Sequence, residues 1–283
     1  MAGLNEQVEA ITGQPVREVR GLGGSHGDVQ RVTLADGQRL VAKTAGGSGA
    51  DIALEGWMLR YLGEHSALPV PKVLHSNDAL LLMTYLEGGG QMTQEAEEHA
   101  AELMAALHRN TLAHFGLERD TLIGPLHQPN PRTDRWVDFF RDHRLLYMAR
   151  VARDGGQLPG KLFDRVERLA GKLNNYLEEP DYPTLLHGDA WGGNIIVGDG
   201  RIAGFIDPAI YYGHPEIELA FTTLFSTFGE AFYRRYDAIN GIRPGFWEER
   251  RDLYNLYPLL VHARLFGGGY VRRVEGTLRD FGV

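Results

Sequence analysis

Three polar residues near the middle of the chain have the types and spacing that phosphoryl transfer needs. Asp189 and Asn194 stand five positions apart and Asp207 follows thirteen positions later, each at the edge of a short apolar run within TLLHGDAWGGNIIVGDGRIAGFIDPAIYY, residues 184–212. Moving a phosphoryl group from ATP requires hard oxygen ligands for Mg²⁺ and a carboxylate that orients the attacking hydroxyl and accepts its proton. Asn194 and Asp207 suit the first task and Asp189 the second. Taken singly, either aspartate would pass as a turn residue beside glycine. The spacing, the flanking apolar runs and His187 together favour chemistry.

The elements around these residues are legible as strands. Thr184 to Leu186 reads as a strand entering His187-Gly188-Asp189, and Ile195 to Val197 with Arg201 to Ile206 reads as a hairpin turned by Gly198-Asp199-Gly200. An aspartate five positions before an asparagine, with a second aspartate beyond a strand, is also the order found in the protein-kinase signature. Nearer the N-terminus, a short polar helix precedes a strand at 16–22. A glycine-rich run containing Gly23, Gly24 and Ser25 follows, and then a hairpin of 30–34 and 38–43 about Asp36-Gly37. Glycines in such a loop let backbone N–H groups approach phosphates. A strand after the loop, rather than a helix, excludes a dinucleotide-binding unit.

Lys43 ends the third strand, where a lysine can hold ATP phosphates. Glu55 lies in the helical stretch 52–62, whose Leu54, Met58, Tyr61 and Leu62 share one face; packed on the sheet, this helix would aim Glu55 at Lys43. Strands at 72–75 and 79–85 end in Leu86-Glu87-Gly88-Gly89-Gly90, where β character gives way to helical character. That change sets a boundary between an N-terminal nucleotide-binding lobe, 1–87, and a C-terminal catalytic and substrate-binding lobe, 88–283. If the analogy to the protein-kinase signature holds, the backbone of Thr84 and Leu86 in this inter-lobe strand faces the adenine and Met83 borders the pocket.

The second half reads as helices: from Thr93 to His108, 134–153, 159–177, 215–228 and 244–266, the last stopped by Gly267-Gly268-Gly269. Residues 111–132 read as loop, with Gly124-Pro125 and Pro129-Asn130-Pro131 as breakers. His108 reads as a capping or core histidine. Glu216 and Glu218 suit a helix N-terminus, with Glu218 also placed to support the substrate side of a cleft.

Composition narrows the class. A 283-residue chain with 43% apolar and 23% charged residues is that of a folded globular protein with room for two lobes. A net charge of −8 and the lack of basic clusters argue against a nucleic-acid partner. No apolar run reaches a membrane span and no basic and apolar signal segment opens the chain, so a soluble cytoplasmic protein is expected. With no cysteine, thiolate metal sites and cysteine catalysis are excluded.

The run Leu186-His187-Gly188-Asp189-Ala190-Trp191-Gly192-Gly193-Asn194 resembles the H-G-D-x-W-x-G-N motif of the fructosamine kinase (ketosamine-3-kinase) family, a branch of the protein-kinase-like fold related to aminoglycoside phosphotransferases. Phe205-Ile206-Asp207-Pro208-Ala209 is similar to its second metal motif, and 253–260 with Phe266-Gly267-Gly268-Gly269-Tyr270 is similar to its C-terminal helix. The resemblance implies an α+β, protein-kinase-like bilobal fold: a small N-lobe with an antiparallel sheet and a helix, and a larger, mainly helical C-lobe. It implies ATP and Mg²⁺ as cofactors and a ketosamine or glycated amine as acceptor, phosphorylated on its 3-hydroxyl, with Trp191 packing against the sugar. Ala190 stands where leucine is common, Glu218 where aspartate is usual, and His26 where some members carry cysteine. Two rival readings stay open: a phosphotransferase for another small hydroxyl acceptor such as an aminoglycoside, and an ATP-binding pseudokinase scaffold.

Overall fold

The computed structural model describes residues 3–23, 28–45 and 51–283, with Asp28 by its backbone alone. Gly24, Ser25 and His26 of the glycine-rich run lie outside the described residues. The smaller lobe carries α1 (Leu4–Thr12), β1 (Val16–Gly21), β2 (Asp28–Leu34), β3 (Arg39–Thr44), α2 (Ile52–His65), β4 (Val73–Ser76) and β5 (Leu80–Thr84). The larger begins with α3 (Gln94–Leu107), β6 (Thr121–Ile123), β7 (Leu126–Gln128), α4 (Trp136–Phe140), α5 (Leu146–Asp154) and α6 (Gly160–Ala170). It continues through β8 (Thr184–Leu186), β9 (Ile195–Val197), β10 (Ile202–Phe205) and β11 (Tyr211–Gly213) to α7 (Pro215–Leu224), α8 (Glu230–Asn240), α9 (Arg251–Phe266) and α10 (Gly269–Asp280). None of the described helices is long and apolar enough to cross a membrane.

Among the described residues the small lobe is one antiparallel sheet in the order β1-β2-β3-β5-β4. Alternation along the strands decides what each face meets. Leu40 and Ala42 of β3 join Leu80 and Leu82 of β5 in a cluster with Val8 of α1. Leu81 and Met83 face the other way, onto Ile52 and Leu59 of α2. Lys43, paired in register with Leu81, therefore stands on the α2 side. The turn into β3 is built as its sequence demands: Gly37 takes φ 89° and Asp36 Oδ1 accepts the Gln38 N–H at 2.8 Å. Asp51 caps α2 by accepting the Leu54 N–H at 2.9 Å, which fixes the turn carrying Glu55.

In the larger lobe, β8 pairs with β11 and β9 with β10, so the loops after β8 and β10 emerge side by side. The β10 strand is tied back to the small lobe where Phe205 N–H donates to the Pro69 carbonyl at 2.8 Å. Four expectations need correction. The helix expected over 215–228 ends at Leu224, and Ser226 takes a left-handed φ of 52°. Residues 111–132 are not all loop: Gly124-Pro125 turns the β6–β7 hairpin. The helix expected over 159–177 ends at Ala170, followed by a 3-10 turn. Gly267 to Gly269 stops α9 but does not end the helical structure, because the chain turns and α10 packs Val274 and Leu278 into the core.

A buried ion pair braces the base of α7. Arg250 donates to both Glu216 oxygens, at 2.7 and 2.6 Å, and its remaining donors reach the Pro244 and Arg243 carbonyls. Both residues are under 5% exposed. Replacing Glu216 by Ala strands a guanidinium in the interior, and chemical denaturation should show a loss of about 3–5 kcal/mol. An unchanged midpoint would mean that the interior readily solvates the arginine.

Candidate active site

The Lys43 ammonium lies between two carboxylates. It donates to Glu55 Oε1 at 2.6 Å and contacts Asp207 Oδ1 from the larger lobe. Burial alone would lower the lysine pKa, but the two carboxylates outweigh it and hold the ammonium above its usual range. Burial pushes the Glu55 carboxyl up to about 7, against the pull of the lysine. Asp207 takes φ 53°, a left-handed conformation rare for a residue with a side chain. A strained backbone fixed by flanking strands is characteristic of groups held for function.

The loop after β8 brings Asp189 and Asn194 together. Asn194 Nδ2 donates to the Asp189 carbonyl at 2.9 Å and to its carboxylate at 2.8 Å. With its donors so used, the amide oxygen is the Asn194 atom suited to a metal. Burial raises the Asp189 carboxyl to about 7; the Asn194 hydrogen bond opposes this, while the charges of Asp207 and Glu218 add to it. A carboxylate titrating near neutrality is matched to accepting a proton from a hydroxyl.

The loop is held from behind. Glu218 of α7 accepts the backbone N–H groups of His187, at 3.1 Å, and Gly188, at 2.6 Å, and its Oε2 also bonds His108 Nε2 at 3.0 Å. Burial would raise its pKa, but the hydrogen bonds from His108 and the loop amide hold it below the usual carboxylate range. Both Glu218 oxygens are thus engaged with the loop and its support. Gly188 cannot be another residue: its φ is 82° and a Cβ there would lie 2.0 Å from the Ala209 carbonyl oxygen. His187 is buried and kept neutral by burial, and its Nδ1 accepts the Asp189 N–H at 3.3 Å, so the ring proton sits on Nε2.

These groups share one cleft of about 610 Å³ between the lobes. Gly23, Lys43, Glu55, Met83, Thr84 and Leu86 line it from the small lobe, and Asp189, Trp191, Asn194, Asp207 and Glu218 from the larger. Thr84 spends its N–H on the Lys72 carbonyl at 2.9 Å and its hydroxyl accepts the Lys72 N–H at 2.9 Å. Trp191 is 40% exposed and its ring covers Gly193, where a Cβ would lie 2.4 Å from it. The cleft continues past Trp191 to Pro258, Val261, His262 and Phe266 of α9 and to the β6–β7 turn. Sequence reading did not single out Val41, Ile196 and Ile206 beside the nucleotide end, or Phe221 and His262 beyond Trp191. Apolar and aromatic residues in strands and helices carry no mark separating a cleft wall from a core.

The donor set fits Mg²⁺ in part. No group of three or more His, Cys, Asp or Glu side chains able to hold a metal occurs among the described residues. One carboxylate and one amide oxygen in a cleft are nonetheless what Mg²⁺ needs when phosphate and water complete its shell.

The family model described as Fructosamine kinase matches residues 5–281. A Synechocystis protein named as a probable ketoamine kinase is 34% identical over 288 residues, covering 98% of this chain and 95% of that protein. The chloroplastic protein-ribulosamine 3-kinase of Arabidopsis thaliana is 32% identical over 238 residues, covering 82% of this chain and 70% of its own. A crystal structure from Thermobifida fusca, assigned as a fructosamine-3-kinase, superposes with a TM-score of 0.87 at 32% identity, covering 98% of this chain and 99% of that one.

Proposed function

The chain belongs to the fructosamine kinase family, and from that membership we propose that it transfers the γ-phosphoryl group of ATP to the 3-hydroxyl of a ketoamine. The observation that carries the reading is the Lys43 ammonium between Glu55 and Asp207, in the same cleft as the Asp189–Asn194 pair. In this reading the lobes divide after Glu87. Met83, Thr84 and Leu86 border the adenine, Gly23, Gly24 and Ser25 are assigned to phosphate binding, and Lys43, fixed by Glu55, holds the phosphates. Asp189 orients the acceptor hydroxyl and takes its proton. The hydroxyl oxygen bonds to the γ-phosphorus as the bond to the bridging oxygen breaks, and that electron pair leaves on ADP. Asn194 and Asp207 would hold Mg²⁺, which when bound neutralises phosphate charge. Trp191 offers its exposed face to the apolar side of the sugar, and Glu218 keeps the loop in place. The phosphorylated product serves removal of sugar adducts from amines.

The acceptor end of the cleft favours a ketoamine over an aminoglycoside. Beyond Trp191 its walls are Pro258, Val261, His262, Leu265 and Phe266, with no carboxylate among them to receive a polycation. ADP release measured with fructosamine-type substrates, free sugars and aminoglycosides should give kcat/KM at least about 100-fold higher for the ketoamine than for any aminoglycoside. The reverse order would move the protein to the antibiotic branch, and ATP binding without turnover on any acceptor would make it a scaffold.

A further inference from the structure

A second cavity, of about 550 Å³, lies on the far side of the catalytic loop between α3, α8 and the start of α7. Its wall includes buried polar groups, His108, Thr184 and Tyr236, with Arg109, Thr111 and Arg243 around them. Polar side chains removed from bulk water yet facing a space of that size are suited to a small polar ligand.

The charge balance indicates which kind. Of the acidic groups on the wall, Glu216 is locked to Arg250, and Asp181 pairs with Arg243 at 3.2 Å. Arg109 makes no ion pair among the described residues; its guanidinium donates only to neutral oxygens, Asn240 Oδ1 at 3.1 Å and the Ile239 carbonyl at 3.4 Å. It is exposed, so its unspent charge faces whatever enters. Arg243 is held by Glu178 as well, at 3.4 Å, which leaves Arg109 as the cation on this wall with no carboxylate partner among the described residues.

The same wall touches the catalytic loop at one remove. Glu218 can only accept, so His108 Nε2 carries the proton in their 3.0 Å bond, and the Tyr236 hydroxyl lies 2.7 Å from His108 Nδ1. Glu218 in turn holds the His187 and Gly188 N–H groups ahead of Asp189. We infer that this cavity is a regulatory site for a small phosphorylated metabolite, anchored by Arg109, which slows phosphoryl transfer by competing for the Tyr236 hydroxyl and loosening the His108–Glu218 support of the loop. The coupling to rate rests on the kinase reading; the binding does not.

Calorimetry with a hexose phosphate and with inorganic phosphate tests the binding, using wild type, Arg109→Ala, Arg109→Lys and Lys43→Met. Saturable binding of the hexose phosphate is expected in wild type and in Lys43→Met, weakened at least tenfold in Arg109→Ala and kept within threefold in Arg109→Lys. Inorganic phosphate, filling less of the cavity, is expected to bind more weakly than the hexose phosphate. Equal affinities would overturn the assignment of a larger ligand. Absence of saturable binding, or loss in Lys43→Met with retention in Arg109→Ala, would overturn the site by placing the anion nowhere or in the nucleotide cleft. In turnover, saturating hexose phosphate should lower wild-type kcat at least twofold and leave Arg109→Ala unaffected. Unchanged kcat in both would overturn the regulatory role, even if binding holds.

Discussion

Asp189→Asn should abolish most turnover while leaving the protein folded and able to bind nucleotide. The substitution keeps the shape of the side chain but removes its capacity to take a proton, a contribution typically worth about 10²–10⁴ in rate, or roughly 3–5 kcal/mol of barrier. Its neighbours argue that the fold survives. The Asn194 donors still find the residue 189 carbonyl and a side-chain oxygen, and the loop stays pinned through Glu218 to His187 and Gly188. A near-wild-type kcat with the best ketoamine would remove Asp189 from the role of base.

The same variant also has a signature in stability. Burial raises the folded-state pKa of Asp189 to about 7, whereas an unfolded aspartate titrates near ~3.9. Between those values the folded state holds a proton that the unfolded chain has given up. Wild-type stability therefore falls as pH rises through that window and is flat above it. Asparagine does not titrate, so this contribution to the slope should vanish and the variant should melt at or above the wild-type midpoint at pH 8. Turnover should run the other way in wild type, rising with pH through about 7. Glu55 is raised to about 7 as well, so the stability slope, compared in wild type and variant, identifies which carboxyl is responsible.

How far such a site can be read without coordinates depends on how local its signals are. The Asp36-Gly37 and Gly198-Asp199-Gly200 turns are written in a few adjacent residues, and both hairpins form where those residues predict them. The side of the sheet on which Lys43 stands follows from strand alternation, and the facing position of Glu55 from helical spacing. The β6–β7 hairpin was not legible, because three-residue strands are too short to show a period and Gly124-Pro125 reads equally as a breaker. Nor was α8, a short helix whose inward stripe of Phe232, Tyr236 and Ile239 is carried mostly by aromatic rather than aliphatic residues. The partnership of His108 with Glu218 spans 110 positions. No spacing in the sequence announces it, and it emerges only when α3 and α7 pack behind the same loop.

Removing the Asp207 carboxylate should uncouple nucleotide binding from Mg²⁺. In Asp207→Ala, Lys43 keeps Glu55 at 2.6 Å but loses its second carboxylate, which leaves the ammonium freer for phosphate. ATP alone should therefore bind at least as well as to wild type. MgATP should bind at least about tenfold more weakly, a loss of ~1.4 kcal/mol or more, because Asn194 would be the remaining one of the two expected protein ligands. Alanine also carries a cost at φ 53°, of order 1–2 kcal/mol, that has nothing to do with a metal. Asp207→Asn separates the two effects, since asparagine tolerates the left-handed region well and retains one oxygen without the charge. Calorimetry with ATP, with and without Mg²⁺, should place Asp207→Asn between wild type and Asp207→Ala in its Mg²⁺ dependence, with a melting midpoint close to wild type. Equal enhancement of ATP binding by Mg²⁺ in all three proteins would exclude Asp207 as a metal ligand and leave its strained backbone to be explained by its contact with Lys43.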